Sequence, residues 1–223
     1  MQPFVWLVVF VISVTVHEAA HALAAHLGGD DTAYQGGQVS LNPIPHMQRE
    51  PIGMVLVPLV TAFTMGWPMG WASTPFDPSW ELRHPRRAAW MALAGPGSNF
   101  ALALGAVVFM HVGVRAGFFV PIDEPHFYAH LITAHVKWID GMARFTSMMY
   151  VMNTTLCLLN LIPFPPLDGA SAITLLLPED LGLRFRQALR QPAFSFLGLL
   201  LVWYGFGQVL SPVLGRVTDL ILP

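Results

Sequence analysis

Residues 3–27 form a long apolar run, and inside it sits His17-Glu18-Ala19-Ala20-His21. An apolar run of this length reads as a membrane-spanning helix, which needs roughly 18 or more such residues. Ionisable groups at that depth cost several kcal/mol unless they have partners or a task. The chain must therefore fold so that this helix turns one polar face inward. On a helix, His17 and His21 lie four residues apart and project from the same face. Two imidazoles so placed can grip one Zn²⁺, with Glu18 beside them to deprotonate a bound water. The plain alternative is a helix with two core histidines and one paired glutamate.

Composition points the same way. Of 223 residues, 54% are hydrophobic and 11% charged, against roughly 25% charged in soluble domains. Further apolar stretches cover 52–72, 88–112, 145–162 and 194–214. The expected fold is an all-α polytopic membrane protein with about four full transmembrane helices. A re-entrant segment and a short β element after the first helix complete it. The β element is expected within residues 34–41, where Tyr34-Gln35-Gly36-Gly37 passes into the alternating Gln38-Val39-Ser40-Leu41. Residues 1–223 are expected to be one domain, with core motifs over 14–169 and a C-terminal helix at 193–214. The length leaves no room for an appended soluble domain. A net charge of −2 without any basic run gives no sign of nucleic-acid binding. Cys157 is the single cysteine, so no internal disulfide forms. The first apolar run lacks the basic start of a cleavable signal.

A catalytic zinc wants three protein ligands and one open position. The pentapeptide supplies two. The best third candidate is Asp168, where Asn160-Leu161-Ile162-Pro163-Phe164-Pro165-Pro166-Leu167-Asp168-Gly169 ends an apolar helix. Prolines fix the backbone there and a glycine permits a sharp turn. An ordinary Asp-Gly surface turn is the alternative. For Gly95-Pro96-Gly97, close helix packing is the stronger reading, with Asn99 on a cavity wall as the other. The remaining histidines lack such spacing, apart from His126 and His130, whose i, i+4 pairing falls in a polar loop.

Taken in order, the pentapeptide, Gly95-Pro96-Gly97-Ser98-Asn99 and the Asn160–Gly169 stretch resemble the site-2 protease family of intramembrane zinc metalloproteases. Residues 36–45 and the Pro51-Ile52-Gly53 and Gly70-Trp71-Ala72 segments are similar to its compact bacterial branch, which lacks PDZ and CBS domains. The resemblance covers roughly 14–169. It implies one zinc ion on His17, His21 and Asp168, with Glu18 as general base. It also implies that Asn160 positions substrate or stabilises the oxyanion. The implied partners are the lipid bilayer and a membrane-protein substrate with a transmembrane segment. The sequence departs from the family pattern twice. His46-Met47-Gln48-Arg49-Glu50-Pro51-Ile52-Gly53 stands where His-Ile-Asp-Pro-Ile-Gly is usual, and Ser73-Thr74-Pro75-Phe76-Asp77 replaces Lys-Pro-Val-Pro-Val. Both lie away from the zinc motifs and are expected to alter only the edge that meets substrate. Residues 38–41 are candidates for that edge, with a plain surface loop as the alternative.

Membrane parity tests the ligand set. If 52–72 crossed fully, Asp168 would lie on the opposite side from His17 and His21, across much of a ~30 Å core, whereas zinc bonds are ~2 Å. A segment that dips in and returns brings them to one face. It also gathers Arg49, Arg83, Arg86, Arg87, Arg184, Arg186 and Arg190 on that face, against Arg115, Lys137, Arg144 and Arg216 opposite. The positive-inside rule then puts the site nearer the cytoplasmic face of the cell membrane. Two other classes remain: an inactive homologue that binds membrane proteins, and a metal transporter. A retained general base argues against the first, and the absence of internal repeats argues against the second.

Overall fold

The computed structural model describes residues 2–122 and 130–189, with part of 191–216. His126 and half of the expected C-terminal helix at 193–214 lie outside the described residues, and 193–198 are helical. Among the described residues, three long helices carry the architecture: α1 (Gln2–Leu27), α6 (Pro85–Arg115) and α7 (Lys137–Asn160). Between α1 and α6 come the short helices α2 (Thr32–Gln35), α3 (Pro43–Arg49), α4 (Val57–Thr64) and α5 (Pro78–Arg83), with a π-helical turn at Ile52–Leu56 leading into α4. After α7 follow α8 (Gly169–Ala172), a 3₁₀ turn at Ile173–Leu176 and α9 (Glu179–Leu189).

Among the described residues, α1 and α6 are long and apolar enough to cross a membrane. Their 26 and 31 residues extend about 39 and 46 Å at 1.5 Å per residue. α7 begins earlier than its apolar stretch, because its first turns are polar and carry an i, i+4 pair, Arg144 Nε to Asp140 Oδ2 at 2.8 Å.

Packing is organised as lipid-exposed helices require. Large apolar side chains such as Phe4, Val8, Phe100, Leu104 and Val108 point outward. The interior uses Trp6, Val9 and Phe10 of α1, Met110 of α6, and Met148, Val151 and Met152 of α7. Small residues lie where the helices touch, among them Ala22, Ala25, Ala89, Ala103 and Ala143. Small side chains let backbones approach closely enough for dispersion to act where no hydrophobic drive exists between helices.

Residues 52–72 form a hairpin. The chain runs through the π-helical turn and α4, reverses at Gly66 in the left-handed region (φ 75°), and returns extended. Met69 N–H donates to Thr61 Oγ1 at 2.8 Å and Trp71 N–H to Gly53 O at 3.2 Å. Gly70 packs on Gly53, Phe10 and Pro58, where a Cβ would overlap all of them. The two ends of the segment thus lie side by side.

The β element is not where the sequence put it. Residues 34–41 contain no strand. Ser40 Oγ accepts the Asn42 N–H (3.0 Å), and Asn42 Oδ1 caps α3 by accepting the Ile44 N–H (3.1 Å). Asn at the N-cap followed by Pro at N1 starts a helix and leaves Gln38–Leu41 no ladder to join. Instead, a two-stranded antiparallel pair joins Val120–Pro121 to Ile132–Thr133, between α6 and α7.

Beyond α1, Trp80 of α5 closes the end of the bundle. It is buried against Ala25, Ala88 and Met91, and its Nε1–H donates to Gly28 O at 3.0 Å. Trp80→Ala is expected to cost about 3–5 kcal/mol through the cavity it leaves. Trp80→Phe should cost about 1 kcal/mol, because Arg87 Nη1 also donates to Gly28 O. Thermal unfolding of both variants in detergent measures the difference.

Candidate metal centre

His17, Glu18 and His21 occupy consecutive turns of α1 and are all buried. His17 Nδ1–H donates to Asn99 Oδ1 at 2.6 Å, and His21 Nδ1–H donates to Met91 O at 2.7 Å. Both acceptors belong to α6. Since neither has a hydrogen to give, each imidazole carries its proton on Nδ1 and presents the Nε2 lone pair to the interior.

Those lone pairs meet. His17 Nε2 and His21 Nε2 are 2.9 Å apart, and Asp168 Oδ2 lies 3.1 Å from the first and 3.2 Å from the second. With neutral imidazoles, three acceptors converge without a donor, an arrangement that a cation makes favourable. Tetrahedral zinc with bonds of ~2.0–2.1 Å sets its ligand atoms about 3.3 Å apart, close to this triangle. The three residues fit one divalent ion, and among the described residues they are the group of metal-binding side chains that converges in this way.

Asp168 reaches the histidines because α7 stops at Asn160. A compact turn over 161–167 then delivers the carboxylate at the start of α8, where its own carbonyl accepts the Ser171 and Ala172 N–H groups at 2.9 Å each. Gly169 lies directly on the backbone of Leu161 and Ile162, with no space for a Cβ. The glycine after Asp168 is therefore a packing requirement of the turn.

α6 approaches α1 at Gly95, where a methyl group would overlap the Nε2 atoms of His21 and His17. One residue on, Pro96 sits inside the helix. Having no N–H, it leaves the Ala92 carbonyl without its helical partner, and Ala92 lines the cavity. The Gly-Pro-Gly segment does mark close packing, as the sequence indicated, but the packing serves the histidines directly.

Asn99 is a histidine-orienting residue. Its Nδ2 donates to Asn153 Oδ1 of α7 at 2.8 Å and reaches Ser13 O of α1 at 3.4 Å. Asn153 Nδ2 in turn donates to Ser13 Oγ at 2.9 Å and to Met149 O at 2.8 Å. All three side chains are fully buried, and the network ties His17 to three helices at once. Sequence reasoning passed over Ser13 and Asn153. Two amides inside apolar helices were the available signal, since buried polar groups at such depth need partners.

The centre opens into a cavity of about 570 Å³, lined on one side by α1 and α6 and on the other by the extended 70–76 segment and the α7–α8 turn. Glu18 lines it, and its Oε2 accepts the Thr74 hydroxyl at 2.7 Å. The second departure from the family pattern therefore does touch the site, correcting the expectation that it would not. Asn160 also lines the cavity, its Nδ2 donating to Leu156 O at 3.1 Å. His26 and His46 are engaged elsewhere, with Asp31 (2.6 Å) and Ser40 O (3.0 Å).

Helix-borne histidines four apart, a third carboxylate ligand position and a glutamate over one cavity define a metallopeptidase-type centre inside a helical bundle. Comparison with known proteins is specific: the model of peptidase family M50, the site-2 protease family, matches residues 5–203, and the chain belongs to that family. It is a metalloprotease. A Bacillus subtilis protein named as a zinc metalloprotease, YwhC, is 33% identical over 223 residues, covering 100% of this chain and 90% of the relative. A Mycolicibacterium smegmatis protein named as a zinc metalloprotease, Rip2, is 27% identical over 165 residues, covering 74% of this chain and 54% of the relative. No solved structure gives a significant match. Family and apolar helices together place the chain among membrane proteins.

Gly95→Ala is expected to abolish metal binding while leaving the helical circular dichroism intact, as read by metal analysis of the purified protein. Asn99→Ala should weaken metal affinity by about 10- to 100-fold, as other losses of ligand-orienting hydrogen bonds do. Competition with a chelator checks it.

Proposed function

We propose that the chain is an intramembrane zinc metalloprotease that hydrolyses peptide bonds in or near transmembrane segments of membrane proteins. The observation that carries this reading is the convergence of His17, His21 and Asp168 beside Glu18, within one cavity inside a bundle whose outer faces are apolar. His17, His21 and Asp168 are the ligands of one zinc ion. Zinc held there supplies polarisation of the scissile carbonyl and acidification of water.

Glu18 takes the proton from the attacking water and delivers it to the leaving amine. Asn160, with one amide hydrogen on Leu156 O and the other free to turn toward the cavity, donates to the developing oxyanion or to the substrate backbone. A helical substrate hides its amides in i→i−4 bonds and must unwind before it is cut. The extended 70–76 segment beside the site offers a backbone edge for the unwound strand, in place of Gln38–Leu41.

The hairpin of 52–72 supports the re-entrant topology, because its two ends meet at Gly53 and Trp71. Under that topology the enzyme is a multi-pass protein of the cell membrane, its site lies nearer the cytoplasm, and water enters from that side.

Glu18→Gln is expected to lower cleavage of single-span membrane substrates about 10²- to 10⁴-fold, with bound zinc unchanged. Proteolysis of a substrate panel in liposomes, alongside metal analysis of both proteins, tests this. Cleavage that persists in the variant, or a folded wild type without metal, would sink the proposal.

A further inference from the structure

The two stretches that depart from the family pattern, 46–53 and 73–77, meet in space. Arg49 Nε–H donates to Ser73 O at 3.1 Å, and Ser73 Oγ–H donates to Glu50 Oε1 at 2.5 Å. Both partners are held by the end of α3, where Glu50 N–H bonds back to His46 O. The next residue, Thr74, turns its hydroxyl to Glu18, with Oε2 at 2.7 Å and the Glu18 carbonyl at 3.0 Å. One hydroxyl proton serves one acceptor, and the shorter, charge-assisted bond to the carboxylate takes it. The extended strand is pinned on either side as well, by Trp71 N–H on Gly53 O (3.2 Å) and Asp77 N–H on Asp30 Oδ2 (2.8 Å).

Resting on the metalloprotease reading above, we propose that Thr74 is the positioning residue of Glu18 and that Arg49, Glu50 and Ser73 form the clamp that fixes it. A glutamate side chain left to itself samples several rotamers, few of which aim an oxygen at water. Thr74 anchors Oε2. Among the described residues Oε1 has no hydrogen-bond partner, so one oxygen is held while the other receives the proton. A Lys-Pro-Val-Pro-Val stretch, which stands at 73–77 in the family pattern, has no hydroxyl to do this. Arg49, Glu50, Ser73 and Thr74 thus form one device beside the centre.

The test uses the full chain in liposomes with whichever single-span substrate the wild type cuts, measuring kcat, KM and bound zinc. Thr74→Val is expected to lower kcat about tenfold, the worth of one hydrogen bond to a charged group, with KM and zinc content unchanged. Thr74→Ser should restore most of the rate, and Arg49→Met and Glu50→Ala should each give a smaller fall in kcat alone. A wild-type kcat in Thr74→Val, no recovery in Thr74→Ser, or a loss of zinc in step with rate would overturn the inference. A second measurement needs no cleavage: thermal unfolding of Glu18→Ala, Thr74→Val and the double variant. Coupled shifts are expected, the double variant melting close to the less stable single one, and additive shifts would overturn the contact. A wild type that cuts nothing while the shifts remain coupled would remove the protease reading and leave the Thr74–Glu18 bond standing.

Discussion

His17 Nε2, His21 Nε2 and Asp168 Oδ2 are all electron-rich, yet they lie 2.9–3.2 Å from one another in a buried site. With both imidazoles neutral, such groups would rotate apart unless held. Each is held in place by a neighbouring element. Asn99 and the Met91 carbonyl, both on α6, fix the imidazoles of α1. The turn after α7 presents the carboxylate against Gly169, which has no side chain to hold it off. The separation of α1 from α6 is set by the absence of a methyl at Gly95. Much of the bundle can be read as the scaffold that keeps these three ligand atoms aimed at a single point.

The histidine pair and Asp168 were legible because their information is local. An i, i+4 spacing fixes a shared helix face whatever surrounds it, and a proline-rich stretch ending in Asp-Gly announces a tight turn. The fold brings the two together in one cavity. Proline and glycine interrupt the apolar pattern of 52–72, and the chain reverses there at Gly66.

What escaped the sequence depended on where segments finally lie. Asn99 stands one residue beyond Gly-Pro-Gly-Ser, and a packing motif looks the same whether it serves helix contact or ligand orientation. Here it serves both. Thr74 sits in an extended stretch with no periodicity, so nothing in its neighbourhood announces Glu18, 56 positions away. The misplaced β element has a simpler cause. Alternation over Gln38–Leu41 is a weaker signal than the Asn42-Pro43 pair, a helix start that takes precedence in the fold. The paired strands at 120–121 and 132–133 are two residues each, too short for alternation to register.

The amide ladder from Ser13 through Asn153 and Asn99 to His17 draws one residue or more from each of the three long helices. Until α1, α6 and α7 have come together, His17 has no fixed tautomer and its lone pair has no fixed direction. Under the proposed zinc site, a well-aimed ligand at His17 requires all three helices to be docked. The same contacts that pack the bundle would then also aim the lone pair, so helix packing and ligand geometry are one constraint.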